Sequence, residues 1–326
     1  MKKQAEHPFF TFYRNQISKF ERRLEAERIR TVRQILITGS LSLILPWGLF
    51  SYLMPDGQMF EDLIVIPVLV SIAGLYLCYY FHKSYSRSVK GEIFPRLVKF
   101  FGDDFKFSVT SPMSVSQLLH YHIIPYYERE QSEDYITGTV EGIKLRFFET
   151  RLTYESGSGK NRRTHVSFQG FFVEFEFPED FPTELVLKVD LRSAGRGILS
   201  TLKIISIFST FGSSVYQKLN KPKGMSSVRL EDPLFEKIFD AYSPDQIKAR
   251  VLLNPVFMEQ MTAMAKMHEG CTEASFFHRK LLVKVDSKNL FELKSVFKKL
   301  DLFKESRDFY RDIYILFQMA FLLRKK

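Results

Sequence analysis

The sequence has few of the residues that build disulfide frameworks and zinc sites. Its 326 residues include two cysteines, Cys78 and Cys271, which lie far apart and form no Cys-x-x-Cys spacing. Neither a disulfide framework nor an ordinary zinc site is indicated, and the chain fits a reducing compartment. We predict no metal and no cofactor. Apolar residues make up 45% of the chain, which is enough for a sizeable core.

The chain also lacks a complete nucleotide-binding loop. The stretch from Tyr154 to His165, YESGSGKNRRTH, has Tyr154 where a P-loop requires its first glycine and Asn161 where it requires Ser or Thr. Strand patterns flank the stretch on both sides, whereas a P-loop joins a strand to a helix, so we predict a basic hairpin tip. Three basic side chains of this tip are candidates for contact with a membrane surface or an acidic partner: Lys160, Arg162 and Arg163.

The net charge of +10 is unevenly distributed along the chain. Residues 1–33 carry nine Lys and Arg against four Asp and Glu, and residues 83–110 carry six against three. Residues 111–323 are nearly neutral, with 29 against 27. The basic excess thus lies mainly beside the most apolar segments. This pattern favours an anionic membrane surface, and nucleic acid is not a predicted ligand.

Two long runs contain no charged residue. The first covers Ile35 to Met54 and the second covers Leu63 to Phe81. At about 1.5 Å per helical residue, each run can cross a bilayer core of about 30 Å. We therefore predict a transmembrane helical hairpin over residues 35–82, with a pair of buried core helices as the alternative.

The charges beside these runs predict an orientation. The connecting loop PDGQMFED has no Lys or Arg, whereas basic residues precede the first run and follow the second. The positive-inside rule therefore places the N- and C-termini in the cytoplasm. More than thirty mostly polar residues precede the first run, so a cleaved signal peptide is not expected.

Residues 1–34 form a predicted basic amphipathic arm, because Tyr13, Ile17 and Leu24 share one helical stripe. The arm contains basic side chains that can reach lipid phosphates. The candidates are Arg22, Arg23, Arg28 and Arg30.

Residues 83–326 are predicted to form an α+β cytoplasmic domain, with an antiparallel sheet in its first half and segregated helices in its second half. Period-two alternation, as in Ile143, Leu145 and Phe147, indicates half-buried strands. A late hairpin is expected around His278. Terminal helices are expected over residues 289–300 and 305–326, and residues 191–224 are either a loop with a packed helix or an excursion to the membrane surface.

Four charged residues of the second half are the candidates for catalysis: Glu231, Asp232, Asp245 and Arg250. Carboxylates beside an arginine can bind a cation or perform acid–base chemistry. The alternative is structural. Asp232 then caps a helix, Asp245 lies in the first turn of the next helix after a Ser243 capping box, and Arg250 joins two helices through Glu231.

Three blocks of the sequence carry a family resemblance: SEDYITGTVEG, FQGFFVEFEFP and LEDPLFEKIFDAYSPDQIKARVLLNPVFMEQM. Over roughly residues 85 to 326 the chain resembles the bacterial domain-of-unknown-function family 3137. The third block is the most specific of them. The resemblance implies two membrane helices before the domain and a partner among envelope proteins, and it supplies no catalytic residues.

These observations together predict a bacterial inner-membrane protein whose cytoplasmic domain is a binding or scaffold module. Its expected partners are the lipid bilayer and an envelope or membrane protein. The alternatives are a membrane-tethered hydrolase that uses the acidic and arginine cluster, and a sensor of anionic lipid or peptide. The sequence does not indicate an oligomeric state.

Overall fold

The computed structural model describes residues 8–53, 64–189, 221–267, 272–287 and 295–324. The loop between the apolar runs and most of the segment 191–224 lie outside these residues. The chain divides into two compact units. Unit 1 contains Met1–Phe100 and Phe291–Asp308, and unit 2 contains Phe101–Leu290 and Phe309–Lys326.

Three helices dominate unit 1: α1 (Pro8–Gln16), α2 (Glu21–Leu53) and α3 (Val65–Leu97). Helix α2 continues from the basic arm into the first apolar run, and α3 continues from the second apolar run into its basic flank. No proline or glycine lies at either junction, and Arg, Lys and Glu are good helix formers. The arm and the first run therefore form one helix where the sequence predicted two segments.

A seam of small residues joins α2 to α3. A Cβ atom added at Gly74 would overlap the side chain of Ser42. The Ser71 hydroxyl donates to the Ser42 carbonyl at 3.1 Å, and the Cys78 thiol approaches the Ile35 carbonyl at 3.5 Å. Small residues let helix backbones approach closely, and hydroxyl groups form hydrogen bonds between helices. Both features are typical of helix pairs in lipid, where the hydrophobic effect does not drive helices together.

Large apolar side chains on the other sides of α2 and α3 are exposed. Leu36, Ile44, Leu49, Leu69 and Ile72 each have more than half of their surface accessible. Both helices are long and apolar enough to cross a membrane. In the most apolar 18-residue stretch of each, 6% is buried in the first helix and 17% in the second. A core helix of a water-soluble protein would be mostly buried instead.

The described residues of unit 2 form an antiparallel sheet of nine strands in the order β1-β2-β3-β4-β9-β8-β5-β7-β6. The strands are β1 (Lys106–Thr110), β2 (Arg129–Val140), β3 (Ile143–Ser156), β4 (Arg163–Glu176), β5 (Leu185–Val189), β6 (Ser226–Val228), β7 (Phe239–Ser243), β8 (Thr272–Phe277) and β9 (Lys280–Asp286). The predicted α+β class is confirmed. The prediction of a helical second half missed β6 and β7, because short strands have no periodicity that distinguishes them from helix.

Two connections in the sheet agree with the sequence. Glu141 and Gly142 join β2 to β3 with φ angles of 48° and 83°, as a tight turn with two left-handed residues requires. Residues 157–162 join β3 to β4. The predicted hairpin tip is confirmed, and this stretch does not have the strand-to-helix geometry of a P-loop.

Helices in the described part of unit 2 begin at side chains that cap their N-termini. They are α4 (Pro233–Glu236), α5 (Gln246–Leu252), α6 (Pro255–Met267) and the later part of α7 (Leu302–Arg324). Asp232 caps α4, as predicted. The predicted Ser243 cap is wrong, because Asp245 caps α5. Ser243 is instead the last residue of β7, and its buried hydroxyl donates to the Glu184 carbonyl at 2.6 Å.

The predicted helix over residues 289–300 is also wrong within its described part. Residues 295–300 form turns and irregular structure. Their backbone is held by side chains of α2, since the Arg28 guanidinium donates to the Val296 carbonyl at 2.8 Å and the Leu300 N–H donates to Glu25 at 3.3 Å. These tertiary hydrogen bonds replace those of a helix.

The two faces of the sheet differ because successive strand residues point in opposite directions. On β4, Phe171, Val173 and Phe175 are fully buried on an apolar face. Residues of α6 pack into this core, with the ring of Phe257 5.4 Å from that of Phe276. The other face of β4 carries Phe172, Glu174 and Glu176, and therefore places charge beside a second hydrophobic cluster.

Candidate functional site

The four predicted catalytic residues occupy helix ends and exposed positions. The Asp232 carboxylate accepts the N–H groups of Leu234 and Phe235, and Asp245 accepts those of residues 247 and 248. Glu231 and Arg250 are exposed. Arg250 donates to the carbonyl of Arg229 at 3.2 Å, not to Glu231 as predicted. These contacts explain both aspartates as helix caps without requiring a reaction.

The predicted membrane-contact arginines of the arm differ in their environments. Arg22, Arg23 and Arg30 are exposed, and Arg23 pairs with Glu92. Arg28 has a side chain that is 13% exposed, pairs with Glu25 at 2.8 Å and binds the backbone of residues 295–300. Its charge is therefore directed into unit 1.

At the hairpin tip, the predicted contact residues are partly engaged. Arg162 pairs with Glu155, which also pairs with Arg129 at 2.8 Å. Arg163 is exposed, and the side chain of Lys160 lies outside the described ones. The role of these residues in binding remains a prediction.

A different group, which we call the Glu174 cluster, joins charges on the sheet. It consists of Tyr121, Arg146, Glu174 and Lys280. The Glu174 side chain is 3% exposed, and its carboxylate accepts a hydrogen bond of 2.6 Å from the Tyr121 hydroxyl. Arg146 pairs with its other oxygen, and the Lys280 Nζ lies 3.7 Å from the oxygen that Tyr121 contacts.

The sheet register and one short helix create this cluster. Arg146 on β3 lies opposite Glu174 on β4, and Lys280 on β9 lies opposite Glu176. Tyr121 ends a 3₁₀ helix, Val115–Tyr121, whose N-terminus is capped by Ser114. Sequence reasoning missed the cluster, because its members come from four separated parts of the chain and share no local pattern.

The turn between β8 and β9 forms one border of the cluster. Phe177 donates its N–H to the Arg279 carbonyl at 2.8 Å, and Phe181 donates to the His278 carbonyl at 2.9 Å. The Arg279 side chain pairs with Glu176 at 2.7 Å. These contacts fix the conformation of the turn.

Burial and neighbouring charges set the protonation of two aromatic groups here. Burial, reinforced by Glu174, raises the pKa of Tyr121, so its hydroxyl remains a donor. The His120 ring lies 4.2 Å from the ring of Tyr121 and 4.8 Å from that of Phe277. Partial desolvation lowers the pKa of His120 although the residue is exposed at the surface, Glu174 opposes this shift, and Lys280 adds to it. His120 is therefore neutral at pH 7.

A second polar row crosses the same face. Lys284 pairs with Glu273, donates to the Ile123 carbonyl at 3.1 Å, and lies opposite Glu273 in the register. Lys188 lies opposite Asp240. Burial lowers the pKa of Lys188, and the nearby Glu273 opposes that shift. Two positive and two negative side chains make this row neutral.

Three carboxylates elsewhere in unit 2 have the geometry to hold a cation. Ligand oxygens of Glu133, Asp134 and Glu149 all lie within 4.8 Å of one another. Oxygen ligands of this kind suit Ca²⁺ or Mg²⁺. An acidic group alone does not define a metal site, and the sequence predicted none.

Comparisons with known proteins find a similarity to one family over part of the chain. The family model described as "Protein of unknown function (DUF3137)" matches residues 166–325. No curated protein matches the sequence. The crystal structure of the mycobacterial trehalose monomycolate transport factor A, TtfA, aligns over 72% of this chain and 94% of its own. The identity is 10% and the TM-score is 0.31. The predicted resemblance began near residue 85, and the matched range confirms it from residue 166 onwards. Residues 166–325 of this chain are therefore similar to the DUF3137 family.

Proposed function

We propose that the protein is anchored in the bacterial inner membrane by the α2–α3 hairpin and that unit 2 serves as a binding or scaffold module. The observation that carries the anchor is the exposed apolar surface of both helices. Fully burying one large aliphatic side chain is worth about 1.5–3 kcal/mol, so leaving this surface in water would be costly. A bilayer removes that cost.

The seam and the flanking charges support the same arrangement. Gly39, Ser42 and Gly74 let the helices approach each other, while the larger apolar residues remain available to lipid. Arg22 and Arg30 are exposed on the basic flank and suit anionic headgroups. In this proposal the N- and C-termini are cytoplasmic.

The binding role of unit 2 is favoured over the hydrolase alternative, because the candidate aspartates already accept backbone hydrogen bonds as helix caps. The Glu174 cluster offers a charged, partly exposed surface in their place. An envelope or membrane protein remains the proposed macromolecular partner.

Alkaline extraction of bacterial membranes tests the anchor. The intact protein should remain in the membrane pellet at alkaline pH and enter solution only with detergent. Leu69 and Ile72 are exposed on α3. Replacing both, as L69R with I72R, should abolish stable insertion, because arginine at the centre of a membrane helix costs roughly 2.5 kcal/mol or more.

Leu119 provides a matched control, because it is also exposed but lies in unit 2. Leu119→Arg should not alter extraction. Release of the unmodified protein at alkaline pH, or normal retention of the double-arginine variant, would show that α2 and α3 do not span the membrane.

A further inference from the structure

The Glu174 cluster and its border contain more positive than negative charge. Arg146, Lys280, Arg279 and Lys144 face Glu174 and Glu176, which gives four cations and two anions. The second polar row on the same face, which contains Lys284, has equal numbers of positive and negative side chains. Within this set, two positive charges are therefore not matched by a carboxylate.

The excess charge is accessible at the positions nearest Glu174. The side chains of Arg146 and Lys280 are each 31% exposed, although the carboxylate between them is buried. A guanidinium has five N–H donors and an ammonium has three, and Glu174 can accept only part of them. Because both cations contact one carboxylate, a single small oxyanion can reach both.

The surrounding structure holds these donors in place. Tyr121 is buried and anchors the inner side of Glu174, while backbone hydrogen bonds fix the β8–β9 turn. Glu174 in turn orients Arg146 and Lys280, as outer groups orient the ligands of a binding site. Little side-chain ordering is then required when a ligand binds.

We propose that the Glu174 cluster binds a small oxyanion, a phosphate or carboxylate group of a ligand, through Arg146 and Lys280. Arg279 lies at the border of this site. The inference rests on the proposed binding role of unit 2 and names the ligand chemistry of that role. It does not depend on the membrane anchor.

Calorimetric titration of the full chain in detergent micelles tests the site. Inorganic phosphate and succinate serve as the two probes, at pH 7 and constant ionic strength. At least one should bind saturably, and the preferred probe distinguishes a phosphate from a carboxylate ligand. Lys280→Gln should raise the Kd at least about tenfold, because it removes one ligand cation while Arg146 still pairs with Glu174.

Lys248→Gln is the matched control, since Lys248 pairs with Asp245 at 3.8 Å, much as Lys280 pairs with Glu174. It should leave the Kd unchanged, and Lys280→Arg should retain binding because it keeps the charge. Circular dichroism shows whether each variant is folded.

The absence of saturable binding of both probes would overturn the site, as would equal weakening in Lys280→Gln and Lys248→Gln. If Lys280→Gln does not fold, the double variant R279Q with K144Q replaces it. This variant removes two positive charges next to the cluster, and unchanged binding in it would overturn the proposal. If alkaline extraction gives the expected result but the titration shows no binding, the oxyanion site is refuted and the proposed membrane anchor is not.

Discussion

Glu174 fixes the positions of neighbouring side chains because a buried carboxylate requires strong partners. Tyr121 donates to it, Arg146 pairs with it, and Lys280 lies close by. Removing one partner of a buried charge pair commonly costs several kcal/mol, roughly 3–5, since the remaining charge is uncompensated. Glu174 therefore stabilises this part of the sheet and also orients Arg146 and Lys280, the two cations of the proposed oxyanion site.

His120 reports the electrostatics of the cluster. An NMR titration should give His120 a pKa below its ordinary value of 6.5, because partial desolvation disfavours the charged ring. Glu174→Gln should lower this pKa further, since Glu174 stabilises the imidazolium. Lys280→Gln should raise it, since Lys280 repels the imidazolium.

Lys248→Gln again provides the control and should not move this titration. Shifts of the same sign in Glu174→Gln and Lys280→Gln would contradict the arrangement. Because the folded pKa is lowered, the unfolded chain takes up this proton first as the pH falls. His120 thus contributes stability that is present above pH 6.5 and lost as the pH falls through the folded pKa.

At the scale of elements, the helical pair depends on close approach along one seam. A Cβ atom added at Gly39 would lie 3.8 Å from the Cys78 sulfur, whereas one added at Gly48 would meet nothing within 4 Å. Both glycines lie in α2. They therefore distinguish the side that faces α3 from the side that faces away.

Gly39→Cys should form a disulfide with Cys78 under a membrane-permeable oxidant, in a chain that also carries C271S. The distance suits a disulfide after a small side-chain rotation. Blocking of free thiols by a maleimide-linked polymer, analysed under denaturing conditions, measures the product. Adding Gly74→Leu should reduce it, because the larger side chain separates the helices at Ser42.

Gly48→Cys is the control and should retain both thiols. Efficient cross-linking to Cys78 in the Gly48→Cys chain, or failure of the Gly39→Cys chain to cross-link, would show that the helices pair along another seam.

At the scale of the whole molecule, two compact units divide the proposed tasks. Unit 1 contains the apolar helices, and unit 2 contains the nine-stranded sheet. The predicted division into residues 1–34, 35–82 and 83–326 follows composition, whereas the units follow spatial contact and include separate parts of the chain.

The orientation across the membrane is a prediction for the intact protein. A fluorescent protein fused after Lys326 should be fluorescent, and alkaline phosphatase fused there should be inactive, because the flanking charges place the C-terminus in the cytoplasm. Gln58→Cys, in a chain with C78S and C271S, should react with a membrane-impermeant maleimide from the periplasmic side. Active alkaline phosphatase at the C-terminus would show that this terminus is periplasmic and that the predicted orientation is wrong.

Local patterns in the sequence were sufficient for several elements. Charge-free runs identified the two apolar helices, alternation identified β3 and β4, and Asp232 identified a helix start. Each of these signals arises within one stretch of chain, through the spacing of apolar residues or a side chain that caps its own helix.

Only the tertiary structure decided the remaining features. Strand β7 exists because β5 and β6 pair with it, and residues 295–300 are held by Arg28 and Glu25 of α2. The Glu174 cluster requires Tyr121, Arg146 and Lys280 to meet through the sheet register. Sequence alone therefore determined the two apolar segments and the longer alternating strands. The short strands and the charges that meet depended on contacts between distant residues, whose energies no local pattern contains.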